Sequence, residues 1–317
     1  MNWTPERDKR LRELVAEGYG TPTIAKRLQA EGFAIGRGGV RGRLARIGLE
    51  SDGQNSPAIA ANHREYRRLA IPLNDGDRLV TINDMQFPFH DEATLQAVDA
   101  FLLDLEPTIF VIAGDGTDFY ELSHFDKNPA RGRTLQDELD ISGGKLKRWR
   151  RRHPKARRVY IEGNHEDRLR RWLWQHPGVA SLRSLDLAEQ LDAKDDWEFL
   201  NYGSQVEVAG YLIEHGDVTR GHAGYAARAM FEKRGMSGVC GHTHRFGVYT
   251  RRDARGHHTY IENGCLCLLN PEYVHNPDWT QAFTYGIAYG GELYLNPVRI
   301  RRWGFRAEGR WYRRNSE

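Results

Sequence analysis

Between Arg78 and Asn263, apolar runs of three to five residues alternate with longer stretches whose apolar positions recur every third or fourth residue. The short runs Leu79–Ile82, Ile109–Ala113, Arg158–Glu162, Tyr211–Glu214, Gly238–Cys240 and Thr259–Asn263 predict strands, most of them followed at once by Gly or Asn. Glu92–Leu105 and Leu135–His153 carry the helical period. Strands alternating with helices predict an α/β domain with largely buried sheets.

Residues 4–48 have a different texture, three short helical patterns and no strand. Thr4 can cap the first, with Pro5 at the first helical position and Glu6 and Asp8 near the positive end of the dipole. Leu11, Leu14 and Val15 form its apolar stripe, and Gly18 and Gly20 end it. Thr21-Pro22 opens the second, with Ile24, Ala25 and Leu28 on its inner face. After a break at Gly32 to Gly36, Val40, Leu44 and Ile47 point inward from the third, leaving Arg37, Arg41, Arg43 and Arg46 outside. Helix, turn and an arginine-faced helix is the pattern of a helix-turn-helix module.

This segment resembles the N-terminal domain of GcrA-type cell-cycle regulators. The shared features are the Trp-Thr start, the Gly-Tyr-Gly-Thr-Pro-Thr-Ile-Ala-Lys-Arg-Leu stretch and the closing Arg-Leu-Ala-Arg-Ile-Gly-Leu. The resemblance implies a DNA partner, contacted through Lys26, Arg37, Arg41, Arg43 and Arg46. A plain helical bundle with solvated arginines is the alternative, and Gly36, Gly38, Gly39 and Gly42 lower the helix propensity of the third segment. Residues 51–72, beginning Ser51-Asp52-Gly53-Gln54-Asn55-Ser56-Pro57, read as a linker between residues 1–50 and a catalytic domain at 73–317.

Composition narrows the class. The chain has 317 residues, 39% hydrophobic and 28% charged, which suits a globular protein with a real core. No apolar run approaches the roughly 20 residues of a membrane span, and the N-terminus lacks a secretory pattern, so the expected location is the cytoplasm of a bacterial or phage-infected cell, with no membrane partner. The formal net charge of +3 is concentrated in residues 1–50. Three cysteines, Cys240, Cys265 and Cys267, argue against a disulfide framework. The last two fall in a strand-like run, Ile261–Leu269, and read as buried filler rather than zinc ligands.

Five of the strand-like runs end in side chains that bind metals: Asp84-Met85-Gln86, Gly114-Asp115-Gly116-Thr117-Asp118, Gly163-Asn164-His165-Glu166, His215-Gly216-Asp217 and Gly241-His242-Thr243-His244. Each alone is weak. Together they supply seven oxygen or imidazole ligands and a spare histidine, as a two-metal site for phosphate ester hydrolysis requires.

At these residues the region from about Leu79 to Leu295 resembles the calcineurin-like metallophosphoesterases, and specifically phage and prophage members with an Asp-x-Gln first motif. The resemblance implies an α-β-β-α sandwich of two mixed sheets and two divalent metal ions. Read residue by residue, it places Asp84, Gln86 and His244 at the first metal, Asp115 as the bridging carboxylate, and Asn164, His215 and His242 at the second. It keeps His165 off the metals to protonate the leaving oxygen, with attack by a metal-bound hydroxide. Asp118 and Glu166 would orient ligands from behind.

Gln86 stands where the usual motif has histidine, as a ligand or a water-mediated ligand. A carbonyl oxygen is harder than imidazole, so Mn²⁺ is the expected metal, with Mg²⁺, Fe, Ni²⁺ or Zn²⁺ as other choices. His90 is near but wrongly spaced to substitute. The polar, aromatic segment from Asp118 to Pro129, continuing to Arg131 and Arg133, could overhang the metals, with His124, Lys127, Arg131 and Arg133 as candidate substrate-phosphate contacts. Lys145–His153 is a basic run whose helix could track a nucleic-acid backbone or be balanced by nearby carboxylates. Gln281–Tyr312 alternates apolar and polar residues and predicts antiparallel strands finishing the second sheet. Trp279, Phe283, Trp303, Phe305, Trp311 and Tyr312 read as core or edge packing.

The combination predicts a dinuclear-metal-dependent phosphoester hydrolase acting on nucleic acid, as a DNA nuclease, phosphodiesterase or end phosphatase. One alternative is a phosphatase or phosphodiesterase for small molecules or phosphoproteins. Another is a DNA-binding regulator with a vestigial phosphoesterase domain, for which Gln86 is the only point in favour.

Overall fold

The structure is a computed structural model that describes residues 3–16, 19, 21–47, 66–128, 131–271, 274 and 276–314. Gly18, Gly20 and residues 51–65 of the expected linker lie outside the described residues. The N-terminal helices belong to one compact unit, and the chain from Tyr66 onward forms most of a second.

Three helices build the N-terminal unit: α1 (Pro5–Ala16), α2 (Thr21–Ala30) and α3 (Arg37–Arg46). Thr4 Oγ1 accepts from the Arg7 amide at 3.3 Å, capping α1. Leu11, Leu14, Ile24, Ala25, Leu28, Ile35, Val40 and Leu44 close a buried core. Each such aliphatic side chain contributes about 1.5–3 kcal/mol when fully buried, enough to hold a small bundle together. Lys26, Arg37, Arg41 and Arg46 are exposed. Arg43 departs from the expected outward placement. Its guanidinium makes a two-pronged ion pair with Asp8 of α1, with Nε 2.8 Å from Oδ1.

The larger unit starts with β1 (Arg68–Ile71), inside the segment expected to be linker. The strands and helices that follow are β2 (Arg78–Ile82), α4 (Glu92–Leu105), β3 (Ile109–Ala113), α5 (Leu135–Arg152), β4 (Arg157–Ile161), α6 (Asp167–Gln175), α7 (Leu187–Gln190), β5 (Glu198–Leu200), β6 (Gln205–Val208), β7 (Tyr211–Glu214), α8 (Tyr225–Arg234), β8 (Ser237–Cys240), β9 (Phe246–Asp253), β10 (Gly256–Asn263), β11 (Ala282–Tyr289), β12 (Glu292–Arg299), β13 (Gly304–Ala307) and β14 (Arg310–Arg313). They form two mixed six-stranded sheets, β1-β6-β7-β8-β10-β9 and β12-β11-β2-β3-β4-β5, and a separate β13-β14 hairpin.

Side-chain alternation explains the layering. Ile109, Val111 and Ala113 of β3, with Val159 and Ile161 of β4, share one buried cluster with Val206, Val208 and Ile213 of the opposite sheet. The intervening Phe110 turns outward onto Trp149 of α5, with ring centroids 5.5 Å apart. On the other side, Ala227, Met230 and Phe231 of α8 pack on Cys240 and Tyr260. The result is the expected α-β-β-α sandwich.

Two expectations about the C-terminal half change. Cys265 and Cys267 are buried but lie beyond β10, which ends at Asn263. β11 and β12 do finish the second sheet, whereas β13 and β14 leave it as their own hairpin. Phe305 and Tyr312 pack inward against Phe101 of α4, while Trp303 and Trp311 are 64% and 66% exposed rather than packed.

Candidate metal centre

Strands β2, β3 and β4 run parallel in one sheet, and β7 and β8 run parallel in the other. The five motifs follow the C-terminal ends of these strands, where loops can bring distant side chains together. The local backbone is unusual. Asp84, Gln86, Asp115, His242 and His244 all adopt left-handed conformations, with φ of 50°, 49°, 51°, 75° and 59°. Such non-glycine geometry costs about 1–3 kcal/mol per residue and persists only where surroundings impose it. Two motif glycines permit close approach. A Cβ on Gly163 would lie 2.0 Å from Asp115 Oδ1, and one on Gly241 would lie 2.5 Å from Asp84 Oδ2.

Beside the group His244–Cys265–Cys267, two clusters of ligand atoms result, Asp84–Asp115–His244 and Asp115–His215–His242, each of the three with its atoms within 4.8 Å of one another. Asp115 belongs to both. Asn164 Oδ1 lies 3.0 Å from His215 Nε2 and 2.7 Å from His242 Nδ1. The Gln86 amide stands 3.2 Å from His244 Nε2. Asp84 Oδ2 accepts from the His242 amide at 2.9 Å, whereas its buried Oδ1, 3.1 Å from His244 Nε2, accepts no hydrogen bond. A buried carboxylate oxygen without a donor is costly unless a cation satisfies it. The donor set therefore fits two divalent cations sharing Asp115.

The imidazoles respond to the two carboxylates. Burial alone would lower His215, but the charge and hydrogen bond of Asp115, the charge of Asp84 and the Ala113 carbonyl together outweigh it and carry the ring up to about 10. Asp84 likewise overcomes burial at His244 and carries it up to about 9. His242 goes the other way, down to about 4, through burial and the neighbouring His215. His215 Nδ1 donates to the Ala113 carbonyl at 2.9 Å, which leaves Nε2 facing the cluster.

His165 sits at the cleft side of this group. Its Nδ1 donates to Asp118 Oδ1 at 2.7 Å, and its Nε2 is 3.6 Å from Asp115 Oδ2. Burial opposes its protonation, but Asp115 and Asp118 together raise its pKa. Asp118 thus orients His165 rather than a cluster imidazole. Glu166 gathers the amides of Asp115, Thr117 and Gly163 at 3.0, 2.9 and 2.7 Å, so it braces two loops and touches no cluster side chain.

Above the cluster lies a cleft of about 490 Å³, walled by Gln86, Tyr120, Phe125, His165, Arg168 and Trp279 among others. None of the four expected phosphate contacts from the overhanging segment lines it. Lys127 Nζ donates to the Ser123 and Phe125 carbonyls, Arg131 lies 4.1 Å from the Phe89 and Tyr120 ring centroids, His124 stacks on Phe125, and Arg133 is exposed. Arg168, which sequence reasoning passed over, lines the cleft instead. Its Nη2 is 3.1 Å from His165 Nε2, and its Nη1 donates to the Asp118 carbonyl at 2.8 Å. The three-residue spacing from His165 at the start of a helix was the available signal. Asn83 was also missed; its Nδ2 reaches Asp84 Oδ2 at 2.5 Å. His90 pairs with Glu92 at 2.8 Å and belongs to neither cluster.

No family model matches the chain. It is 30% identical over 201 residues to the Gene 54 protein of Mycobacterium phage D29, covering 58% of this chain and 75% of that one. The Gene 54 protein of Mycobacterium phage L5 is 30% identical over 190 residues, covering 54% and 70%. Among solved structures, similarity extends to Vacuolar Protein Sorting 29 from Cryptosporidium parvum, at 12% identity over 75% of this chain and 95% of that one, with a TM-score of 0.41. It also extends to the Pseudomonas putida nuclease MPE, at 15% identity over 69% and 87%, with a TM-score of 0.31. The chain belongs to the family of the mycobacteriophage Gene 54 proteins.

Proposed function

We propose that this chain is a phosphoester hydrolase that uses two divalent cations, Mn²⁺ foremost, and acts on nucleic acid. The observation that carries the reading is that Asp115 stands in two ligand clusters at once, with His165 held beside it by Asp118. Asp84, Gln86, Asp115 and His244 would hold one cation, and Asp115, Asn164, His215 and His242 the other. The oxygen-rich first set favours a hard ion. Bound there, the ions would supply Lewis acidity to the phosphoryl group and to the attacking water.

The chain's own groups do the rest. Asp118 Oδ1 accepts a hydrogen bond from His165 Nδ1 and fixes the ring, so that Nε2 faces the cleft. Arg168 Nη2 lies beside that nitrogen, and an anionic phosphoryl oxygen seated between them would accept from both. His165 then delivers its Nε2 proton to the leaving oxygen while Arg168 offsets the developing charge.

Nucleic acid as substrate is supported by the exposed cations Lys26, Arg37, Arg41 and Arg46 of the N-terminal helices, in a segment resembling a helix-turn-helix module. The aromatic faces of Phe125 and Trp279 at the cleft suit a base. The test is hydrolysis of bis-p-nitrophenyl phosphate, p-nitrophenyl phosphate and single- and double-stranded DNA with Mn²⁺, using full-length protein and Asp115→Ala. Cleavage or dephosphorylation of DNA, abolished by Asp115→Ala, supports the reading. Hydrolysis of the small esters alone would move the substrate to small molecules or phosphoproteins. DNA binding without any hydrolysis would make the chain a regulator.

A further inference from the structure

The C-terminal hairpin carries a surface that the cleft does not explain. Residues 299–314 contain seven arginines and one carboxylate, Glu308. Arg310 and Arg314 are held by Asp104 and Asp91, at 2.9 and 2.6 Å. Among the described residues the other five make no ion pair, and all five are exposed. Glu308 does not neutralise them, since it accepts from the buried Tyr285 hydroxyl.

The hairpin register separates two faces. Phe305 lies opposite Tyr312 and both bury against Phe101, so the next positions must point away from the core. Those positions are Arg306 and Trp311, directly opposite each other, and Arg313 opposite Gly304. In the turn before β13, the Arg302 guanidinium lies 4.7 Å from the Trp303 ring centroid. Two indoles about two-thirds exposed, set among unpaired arginines, contribute little to the fold.

The hairpin is also tied to the catalytic edge. Arg299 pairs with Ala282 at the end of β11 that adjoins the C-terminal end of β2. The Ile300 amide donates to the Gln281 carbonyl at 2.8 Å, and the preceding Thr280 amide donates to the His244 carbonyl at 2.8 Å. Arg314 closes the other end on Asp91, which also accepts from the Gln281 side chain.

We infer that the outer face of this hairpin, through Arg302, Trp303, Arg306, Trp311 and Arg313, binds single-stranded nucleic acid beside the active site. Arginines spaced along a ribbon match a polyanionic backbone, and exposed indoles offer the stacking faces that unpaired bases seek. A duplex presents no free base faces, so the surface favours single strands. The inference rests on nucleic acid being the substrate class.

The test uses the full chain with EDTA to prevent turnover, and measures anisotropy of a fluorescein-labelled 20-nucleotide single strand and its duplex. Trp303→Ala/Trp311→Ala is expected to weaken single-strand binding about 10-fold or more and duplex binding less than 3-fold. Arg306→Gln/Arg313→Gln should reduce the slope of log affinity against log salt by about 1.4. Hydrolysis of bis-p-nitrophenyl phosphate with Mn²⁺ should stay within 2-fold for both variants, because neither touches the cleft. Single-strand affinity unchanged in both variants, while wild type binds and cuts DNA, overturns the inference and leaves the functional reading standing. Wild type that hydrolyses the small ester but neither binds nor cuts DNA overturns both. Loss of binding to anionic phosphatidylserine vesicles in the tryptophan variant, with single-strand affinity intact, overturns it in favour of a membrane surface.

Discussion

Helix α5 and the β13-β14 hairpin are both dense in arginine, and the structure treats them in opposite ways. On α5, Lys145 pairs with Glu92, Lys147 with Asp192, Arg148 and Arg152 with Asp99, and Arg150 with Asp196, at 2.8, 2.5, 3.3, 3.1 and 2.9 Å. Residues 299–314, the hairpin and the segment leading into it, leave five arginines without such partners among the described residues, whereas on α5 Arg151 alone lacks one among them. A basic run in a sequence therefore states how much charge is present, and packing decides how much remains available to a ligand. Arg43 and Arg46, or Arg131 and Arg168, repeat the lesson in pairs: in each, one guanidinium is held inside the fold and the other faces outward or into the cleft.

The strongest way to break the comparison is through Asp99. Nearly buried, it accepts from Trp149 Nε1 at 2.7 Å and from Arg152 at 3.1 Å, so it anchors the inner face of α5. Asp99→Ala strands an indole N–H and removes the carboxylate that two arginines share. We expect a loss of about 3 kcal/mol in urea unfolding. A loss below 1 kcal/mol would mean that the α5 cations are merely solvated and that the contrast with the hairpin is empty.

Arg168 tests availability from the opposite side. Arg168→Gln should lower kcat/KM for both DNA and bis-p-nitrophenyl phosphate about 100-fold, near 2.7 kcal/mol, with the melting temperature within 2 °C of wild type. Lys127→Gln, in the overhanging segment, should change it less than 3-fold, since that ammonium already serves loop carbonyls. Equal effects would return the phosphate contact to the overhang.

Much of this architecture was legible before any coordinates. Six strands and the helices α4 and α5 were clear to within three residues because branched and aromatic runs alternate with amphipathic ones, whereas β5, β6, β9 and α6 to α8 were not read; the five motifs were clear because each is contiguous in sequence. β1 was hidden because four residues ending at Ile71, just before Pro72, are too short to show a period, and their partner β6 lies far along the chain. The left-handed backbone at Asp84, Gln86, Asp115, His242 and His244 left no trace in composition, since only the surrounding loops impose it. Gln86 was found as a motif position, yet its approach to both His244 and His165 depends on that same backbone. The separate hairpin was read as sheet because alternation describes a ribbon equally well.

At the first turn of α5 a carboxylate lacks the cations that surround the helix's last turns. Burial, and then the charge of Asp118, push Glu138 up to about 8, although the Tyr120 amide donates to it at 3.1 Å. Its folded value lies above its unfolded one, so its contribution to stability is complete below about 4.5 and is lost as pH rises through about 8. Glu138→Gln keeps an acceptor for Tyr120 and removes the ionisation. Its melting temperature should exceed that of wild type by about 2–5 °C at pH 8.5, with the gap closing by pH 5. A constant gap across that range would remove ionisation as the cause.

The smallest effects belong to the outer pairs of α5, and they sharpen the comparison most cleanly. The Lys147 and Asp192 side chains are 42% and 81% exposed, so their attraction is screened by water and offset by side-chain entropy. Lys147→Gln and Arg150→Gln should each shift stability by less than about 0.5 kcal/mol and leave single-strand DNA affinity within 2-fold of wild type. Arg306→Gln removes the same charge from the hairpin, also without a stability change, but should weaken single-strand binding measurably. The two substitutions are then matched in charge and in their effect on folding, and differ only in whether a carboxylate already stood beside the cation. If Arg150→Gln weakened DNA binding as much as Arg306→Gln, overall charge rather than local pairing would govern the interaction, and the distinction between the two arginine-rich stretches would fall.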